Sequence, residues 1–497
     1  MGTSTSEDAK KYFKNLKSLT KVFGWSDDAG ELIDRSFNKS RPDERKTWLL
    51  NFQPGNQLDQ KNTQIPVPDF IDKELILFSR YDVERSIPSV VDGMKPSQRK
   101  VLFSTFKRNL TNEMKVAQLS GYVAEHSGYH HGEVSLQGAI VGMAQDFVGS
   151  NNINLLMPNG QFGSRLMGGK DSASARYIFT KLAPNTRAIF DKSDDVLLKY
   201  LEDDGDQIEP EYYVPVIPFL LVNGSVGIGT GFSTSIPSYN PKDIVDNVKR
   251  LIAGKDMMSM SPWYRDFTGS IVDNGQGAFT CKGVVEVKGK AAIVSELPVG
   301  MWTSDYKEYL ESLVEKKAIV DFREKHSEKN VLFEIDFSGI PDMKLLKLES
   351  TIRTSNMHAF DPKGNIKKYN DPLEIIQEWF EVRKEFYAKR KAYLLKDLKH
   401  QANIAQNKYR FITMIVNDEL VLSKKTEKVI ISELCALKFY KSEGSYSYLL
   451  DMKISSLSTE RAEKLRVEAE KLHTDLKVLQ ATTEMHMWSG DLKSIAF

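Results

Sequence analysis

The chain has 497 residues, 41% of them hydrophobic and 27% charged. That composition excludes wholesale disorder, and the length excludes a single hydrophobic core, so roughly three or four folded units are expected. Lys plus Arg number 68 against 67 Asp plus Glu, so net charge gives no sign of nucleic-acid binding and any basic surface must be local. Cys281 and Cys435 are too few and too far apart in sequence for a disulfide framework or a structural zinc site, and fit a reducing compartment. The N-terminus, MGTSTSEDAKKYF, lacks the apolar centre of a secretory signal, and no apolar run is long enough to span a bilayer. The expectation is an intracellular chain, starting at what looks like a cut edge.

Residues 1–60 read as helical stretches (Glu7 to Phe23, Pro42 to Phe52) between polar turns, and QPGNQLDQKNTQIPVP as a loop into the next unit. From about Asp69 to Pro241 amphipathic helices alternate with glycine-rich turns, which marks a central domain. Within it DGMKPSQRKVLFSTFKR predicts a helix from Pro96, with Leu102, Phe103 and Phe106 on one face. Lys100, Lys107 and Arg108 point away from that face, toward phosphates, and Arg99, in the first turn, can reach past the helix end into a site. From about Tyr264 to Asp361, GVVEVKGKAAIVSEL and NVLFEIDFSG alternate as half-buried antiparallel strands do.

Beyond Asp371 the strand signals end. The run from DPLEIIQEWF to NKYRFI reads as one long helix, and STERAEKLRVEAEKLHTDLKVLQATTEMHMW as a second, with Leu465, Leu472, Leu476 and Leu479 on a coiled-coil seam. Turn residues around Gly444 let the two fold back as an antiparallel arm with a small knob at its tip. An ordinary helical hairpin has the same periodicity.

Several strings with a chemical look fail. GGKDS has Ser164 where a phosphate-binding P-loop needs its first glycine, and Asp171 where it needs Ser or Thr. GIGTG is a tight glycine turn rather than a dinucleotide fingerprint. LEDDGDQIEPE reads as a solvated acidic loop rather than a metal site. The adjacent His130 and His131 of YHHGE, if helical, diverge by about 100° and suit phosphate or tyrosine hydrogen bonding better than metal chelation. In GGKDSASARYIFT, Tyr177 follows Arg176. A phenol of pKa near 10 becomes a nucleophile only beside cations or a base, and its attack on a phosphodiester gives an ester close in energy to the bond broken, reversible without ATP. Most tyrosines are packing residues, so the pair alone is weak evidence.

The strings ELILFSRYDVERSIPSVVDGMKPSQRKVLFSTFKRN, KVAQLSGYVAEHSGYHHGE, NGQFGSRLMGGKDSASARYIFT and PFLLVNGSVGIGTGFSTSIP together resemble, in family order, type IIA DNA topoisomerases of the eukaryotic kind. The resemblance covers nearly the whole chain. It implies a multidomain α+β fold: a helical segment following a Toprim domain (1–64), a winged-helix DNA-binding domain with the catalytic tyrosine (65–240), an α/β tower (241–368), and a coiled-coil arm with a dimerisation gate (369–497). By resemblance Tyr177 is the nucleophile that links to a 5′ phosphate, Arg176 supports the scissile phosphate, and Arg99, His130 and His131 lie in or beside the cleavage site. Lys95, Lys100, Lys107, Arg108, Arg165 and Lys170 are then expected DNA contacts, and Ile228 the wedge that enters a base step and bends the duplex.

The expected partners are double-stranded DNA, a second copy of the chain, and the Toprim and ATPase regions of the same enzyme. Mg²⁺ and ATP belong to the longer enzyme: the Glu-Gly-Asp-Ser motif of Toprim is absent, Asp204 and Asp206 follow the tyrosine rather than precede it, and no bound cofactor is expected on this chain. Little cleavage is therefore expected of the chain in isolation. A catalytically inactive DNA-binding dimer and the cleavage subunit of a split gyrase-like enzyme are the alternatives, and nuclear placement is expected over organellar, viral or cytoplasmic placement.

Overall fold

The computed structural model describes residues 4–59, 61–453 and 458–496. The chain is a mixed helix-and-sheet protein that divides into two compact units, residues 1–382 with 495–497 and residues 383–494.

In the first unit the N-terminal helix is shorter than its sequence suggests. Ser6–Lys14 opens with a reciprocal Thr5–Asp8 capping box and ends at Asn15. After a four-residue turn, Val22–Gly24 is a strand that pairs in parallel with Gln64–Pro66. Thr20 is already extended, and Val22 and Phe23 are a β-branched and an aromatic residue, so strand pairing overrides the helical reading there.

The central helices are Ile76–Ser86, Pro96–Lys107, Val116–Ser127 and Glu133–Ala144. Pro96 sits at the start of its helix, where a missing N–H costs nothing. Val101, Leu102, Leu119, Val123, Ile140 and Ala144 are fully buried where the last three helices pack together. Two hairpins accompany them. Tyr200–Asp203 pairs with Asp206–Pro210, so the acidic string is a hairpin rather than a free loop. Its turn residues Asp204 and Gly205 both have positive φ (50° and 88°), the geometry for which Asp-Gly is favoured. Ser225–Gly229 pairs with Phe232–Ile236.

The alternating segments form antiparallel sheets. One has the order Glu349–Arg353, Ala278–Lys282, Ser270–Asp273, and the other Val284–Lys288, Ala291–Glu296, Phe333–Asp336, Asp321–Glu324. The Thr303–Glu315 helix buries Tyr306, Leu310 and Leu313 against Val294, Phe333 and Ile335 of the second sheet. Tyr306 Oη donates to the Leu346 carbonyl at 3.0 Å, so the ring is buried without an orphaned hydroxyl.

The second unit takes residues 383–416 of a 45-residue helix, Pro372–Val416. Ile412 packs with Ala462 and Leu465, while Tyr387 stacks on Trp488 at 5.0 Å and shares Asp491 with Arg390 at 2.7 and 2.6 Å. Late residues thus meet early ones, and the pair runs antiparallel. The second helix is not continuous as its seam implied: Thr459–Ala481 stops at the extended Thr482, and Glu484–Ser494 restarts with Thr483 Oγ1 accepting from His486 N. Two β-branched threonines favour this break and cap over helix continuation. Leu465 is buried, while Leu472, Leu476 and Leu479 are half-buried. Between the helices, Phe411, Leu420, Leu434, Phe439, Tyr446 and Leu449 form a core of their own.

Candidate functional site

Tyr177 is 76% exposed, with Arg176 exposed beside it. Both ride on a turn closed by Tyr177 N donating to Ser174 O at 2.9 Å, between the buried anchors Ala175 and Ile178. The turn hangs on a helix end: Val116 N and Ala117 N, in the first turn of Val116–Ser127, donate to the carbonyls of Ile178 and Ala175, each at 3.0 Å. Those N–H groups have no partner within the helix, so the tyrosine loop caps the helix while the helix fixes the loop. Phe179–Thr180 then pairs with Met114–Lys115, Phe179 also bridges Asn159, and Ala173 N donates to Gln161 O at 2.8 Å. An exposed phenol on a backbone bonded at so many points is not a packing tyrosine.

The histidines lie at the other end of the same helix, in the connection to Glu133–Ala144 rather than on a helix. Twelve residues at about 1.5 Å each put about 18 Å of backbone between the two ends. Gly128, at φ 57°, ends the helix in the left-handed conformation, where a Cβ would overlap the Asp203 carboxylate. His130 Nε2 meets Asp203 Oδ2 at 3.0 Å. His131 Nε2 bonds Tyr81 Oη and packs edge-on against the Tyr129 ring. Burial first, then Arg85, His130 and Lys100, hold the His131 pKa below the usual imidazole value. A cavity of about 840 Å³ opens here, lined also by Arg99, Lys100, Glu209 and Phe360 but not by Tyr177. Tyr129 also lines it, and its buried Oη has no hydrogen-bond partner among the described residues.

Four of the expected cations are engaged within the protein. Arg99, 7% exposed, turns back to Asp92 (2.7 and 3.1 Å) and the Met94 carbonyl rather than past the helix end, and Asp92 also accepts from Tyr213 N. Lys100 does not point outward: it bonds Glu209 at 2.9 Å and the Ser127 carbonyl. Arg165, 5% exposed, bonds Glu296 at 2.6 Å, and Glu296 also accepts from Thr268. Lys95 Nζ holds the Val226 carbonyl at 2.8 Å, with burial lowering its pKa. Lys107, Arg108 and Lys170 are exposed, with Arg108 stacked over the Tyr122 ring.

Ile228 is 80% exposed on the Ser225–Gly229 strand. Alternation explains why. Gly227 and Gly229 face inward, where a Cβ on Gly227 would overlap the Ser86 carbonyl and one on Gly229 would lie 3.0 Å from Val83 Cα. Thr230 N and Oγ1 both donate to Asp82, at 2.8 and 2.9 Å. The hairpin thus lies tight on the Ile76–Ser86 helix and presents its aliphatic side chains to solvent.

Sequence reasoning missed the carboxylates that orient these cations: Asp92, Asp203, Glu209 and Glu296 stand alone or in acidic runs and carry no spacing signal. Asp203, Asp204 and Asp206 do not assemble with other ligands, and among the described residues no three His, Cys, Asp or Glu are grouped to hold a metal. The Mg²⁺ implied by resemblance therefore has no ligand set on these residues.

The site thus pairs an exposed tyrosine and arginine on a backbone-bonded turn with an exposed isoleucine on a separate glycine hairpin. The chain belongs to the DNA gyrase/topoisomerase IV family, whose A-type model matches residues 85–493, while residues 1–83 match the C-terminal associated domain of TOPRIM. Among curated relatives, the DNA topoisomerase 2 of Arabidopsis thaliana is 44% identical over 100% of this chain and 37% of its own length. The mitochondrial DNA topoisomerase 2 of Dictyostelium discoideum is 42% identical over 100% and 40%. The crystal structure of the Plasmodium falciparum topoisomerase II DNA-binding, cleavage and re-ligation domain matches with a TM-score of 0.85 at 45% identity, covering 100% of this chain and 73% of that one. The chain spans about two fifths of the length of these curated relatives.

Proposed function

We propose that this chain is the breakage and rejoining core of a type II DNA topoisomerase, with Tyr177 as nucleophile. Its oxygen attacks a backbone phosphorus, the bond from phosphorus to the 3′ oxygen breaks, and a 5′-phosphotyrosyl ester and a free 3′ hydroxyl result. Attack by that hydroxyl reverses the step. Arg176, exposed next to the phenol, supports the phosphate's charge. The observation that carries this reading is the Tyr177 side chain, 76% exposed on a turn whose backbone is bonded to a helix N-terminus. The partial positive charge of that helix end also favours a phosphate nearby.

The four-part organisation proposed is 1–64 as the segment after Toprim, 65–240 as a winged-helix domain, 241–368 as a tower, and 369–497 as an arm and dimerisation gate. The chain works as a homodimer on double-stranded DNA. Tyr177 and the His130–His131 cavity of one chain are about 18 Å apart along their shared helix, so they do not close on one phosphate by themselves, and two copies supply two tyrosines for a staggered double-strand cut. Arg99 and Lys100 shape the cavity through Asp92 and Glu209, and Lys107, Arg108 and Lys170 contact phosphates. No step is assigned to Mg²⁺ or ATP on this chain, and the metal is supplied by a Toprim region. Placement in the nucleus is the proposed localisation.

The test is covalent trapping. The purified chain, a bendable duplex, Mg²⁺ and a Toprim fragment are incubated and denatured. The reading expects protein-bound DNA with wild-type chain and none with Tyr177→Phe. DNA binding and dimerisation without any adduct would instead establish a scaffold.

A further inference from the structure

We propose that the DNA-bending hairpin carries two apolar teeth: Val226 meets a second base step, two along from the one entered by Ile228. The inference rests on the proposed function, since its ligand is the bent duplex. Val226 is 70% exposed and Ile228 80%. They lie two residues apart on one strand, so both point the same way, and the register sets Val226 opposite Ser235 and Ile228 opposite Ser233. The face is therefore two aliphatic side chains on one strand standing above two small hydroxyls on the other. Scattered exposed aliphatics are ordinary. A pair on a hairpin held by Asp82 at its turn and by Lys95 at the Val226 carbonyl itself is fixed in place.

Spacing chooses the occupant. Two strand residues span about 6.7 Å, and two base steps span about 6.8 Å, so teeth in this register meet alternate steps when the strand lies along the duplex. Lys95 Nζ holds the Val226 carbonyl, while Lys46, 6.0 Å from the inward-facing Phe232 ring, pairs with Asp43 at 2.9 Å. Ser233, which already accepts from Asn356, and Ser235 present hydroxyls that can donate to minor-groove acceptors, which every base pair displays.

The experiment uses the full chain and duplexes of about 30 base pairs carrying 2-aminopurine at successive positions, whose fluorescence rises where a step is unstacked. Wild-type protein is expected to brighten two positions for each bound chain. Val226→Ala is expected to lose one of them and to weaken binding about tenfold, from two methyl groups removed from the contact. It should leave thermal stability unchanged, and Val226→Leu should restore the signal. Ile228→Ala is expected to lose the other position. The second tooth is overturned if Val226→Ala keeps both signals and full affinity while Ile228→Ala loses its own. If wild-type chain binds but brightens no position, both teeth fail while the role of Tyr177, tested by trapping, still stands.

Discussion

Replacing Arg165 separates the structural account from the one its sequence invites. Arg165 lies in the tyrosine block among basic and glycine residues and looks like a phosphate contact, yet it and Glu296 form a buried pair at 2.6 Å, with side chains 6% and 3% exposed. Glu296 Oε2 also accepts from Thr268 Oγ1 at 2.9 Å, and its Oε1 from Leu297 N at 2.9 Å. The carbonyls of Arg165 and Leu166 in turn receive the first N–H groups of the Thr303–Glu315 helix, at 3.3 and 2.9 Å. Arg165→Ala leaves a buried carboxylate without its cation, which costs about 3–5 kcal/mol, with the lower end expected because the Thr268 and Leu297 donors remain. Urea denaturation of the first unit should shift accordingly, with faster exchange of the Thr303 and Ser304 amides. The slope of log binding constant against log salt should stay at its wild-type value, whereas Lys170→Ala should reduce it by about 0.9. Unchanged stability together with a slope lowered by about 0.9 in Arg165→Ala would refute this reasoning and return Arg165 to the DNA surface.

Ile228→Ala should cut DNA bending, read by end-to-end energy transfer, with no change in Tm because the side chain lies in solvent; unchanged bending would remove the wedge. Gly227→Ala should lose bending and also cost about 1–3 kcal/mol, since its Cβ would overlap the Ser86 carbonyl. His131 has a lowered pKa, so below about pH 6.5 the unfolded chain takes up a proton that the folded chain resists, and stability falls as pH falls. Comparing Tm between about pH 7.5 and 5.5, His131→Gln should show a shallower loss than wild type; parallel profiles would contradict the linkage.

What the sequence reveals here is periodicity and spacing. The helix at Pro96 was legible from a proline followed by Leu102, Phe103 and Phe106, and the antiparallel strands from alternation in GVVEVKGKAAIVSEL. The arm was legible as two helices, but Thr482 and Thr483 divide the second, because cap formation is decided by about 0.5–2 kcal/mol, which a leucine seam does not register. The partners of cations were hidden. Arg99 finds Asp92 seven residues back, but Lys100 finds Glu209 and Arg165 finds Glu296 more than a hundred residues on, and charge type alone does not tell an internal pair from a phosphate contact. The Asp204-Gly205 turn and the glycine alternation around Val226 and Ile228 were readable signals, the first of a hairpin and the second of an outward-facing pair.

In the proposed reaction Tyr177 itself becomes joined to DNA. The most direct measurement is to trap the adduct in the presence of a Toprim fragment and Mg²⁺, digest protein and DNA, and identify the modified peptide by mass spectrometry. A nucleotide 5′-phosphate is expected on the peptide that contains Arg176 and Tyr177, with the mass fragment assigned to the tyrosine. A nucleotide on any other residue, or a linkage through a 3′ phosphate, would contradict it.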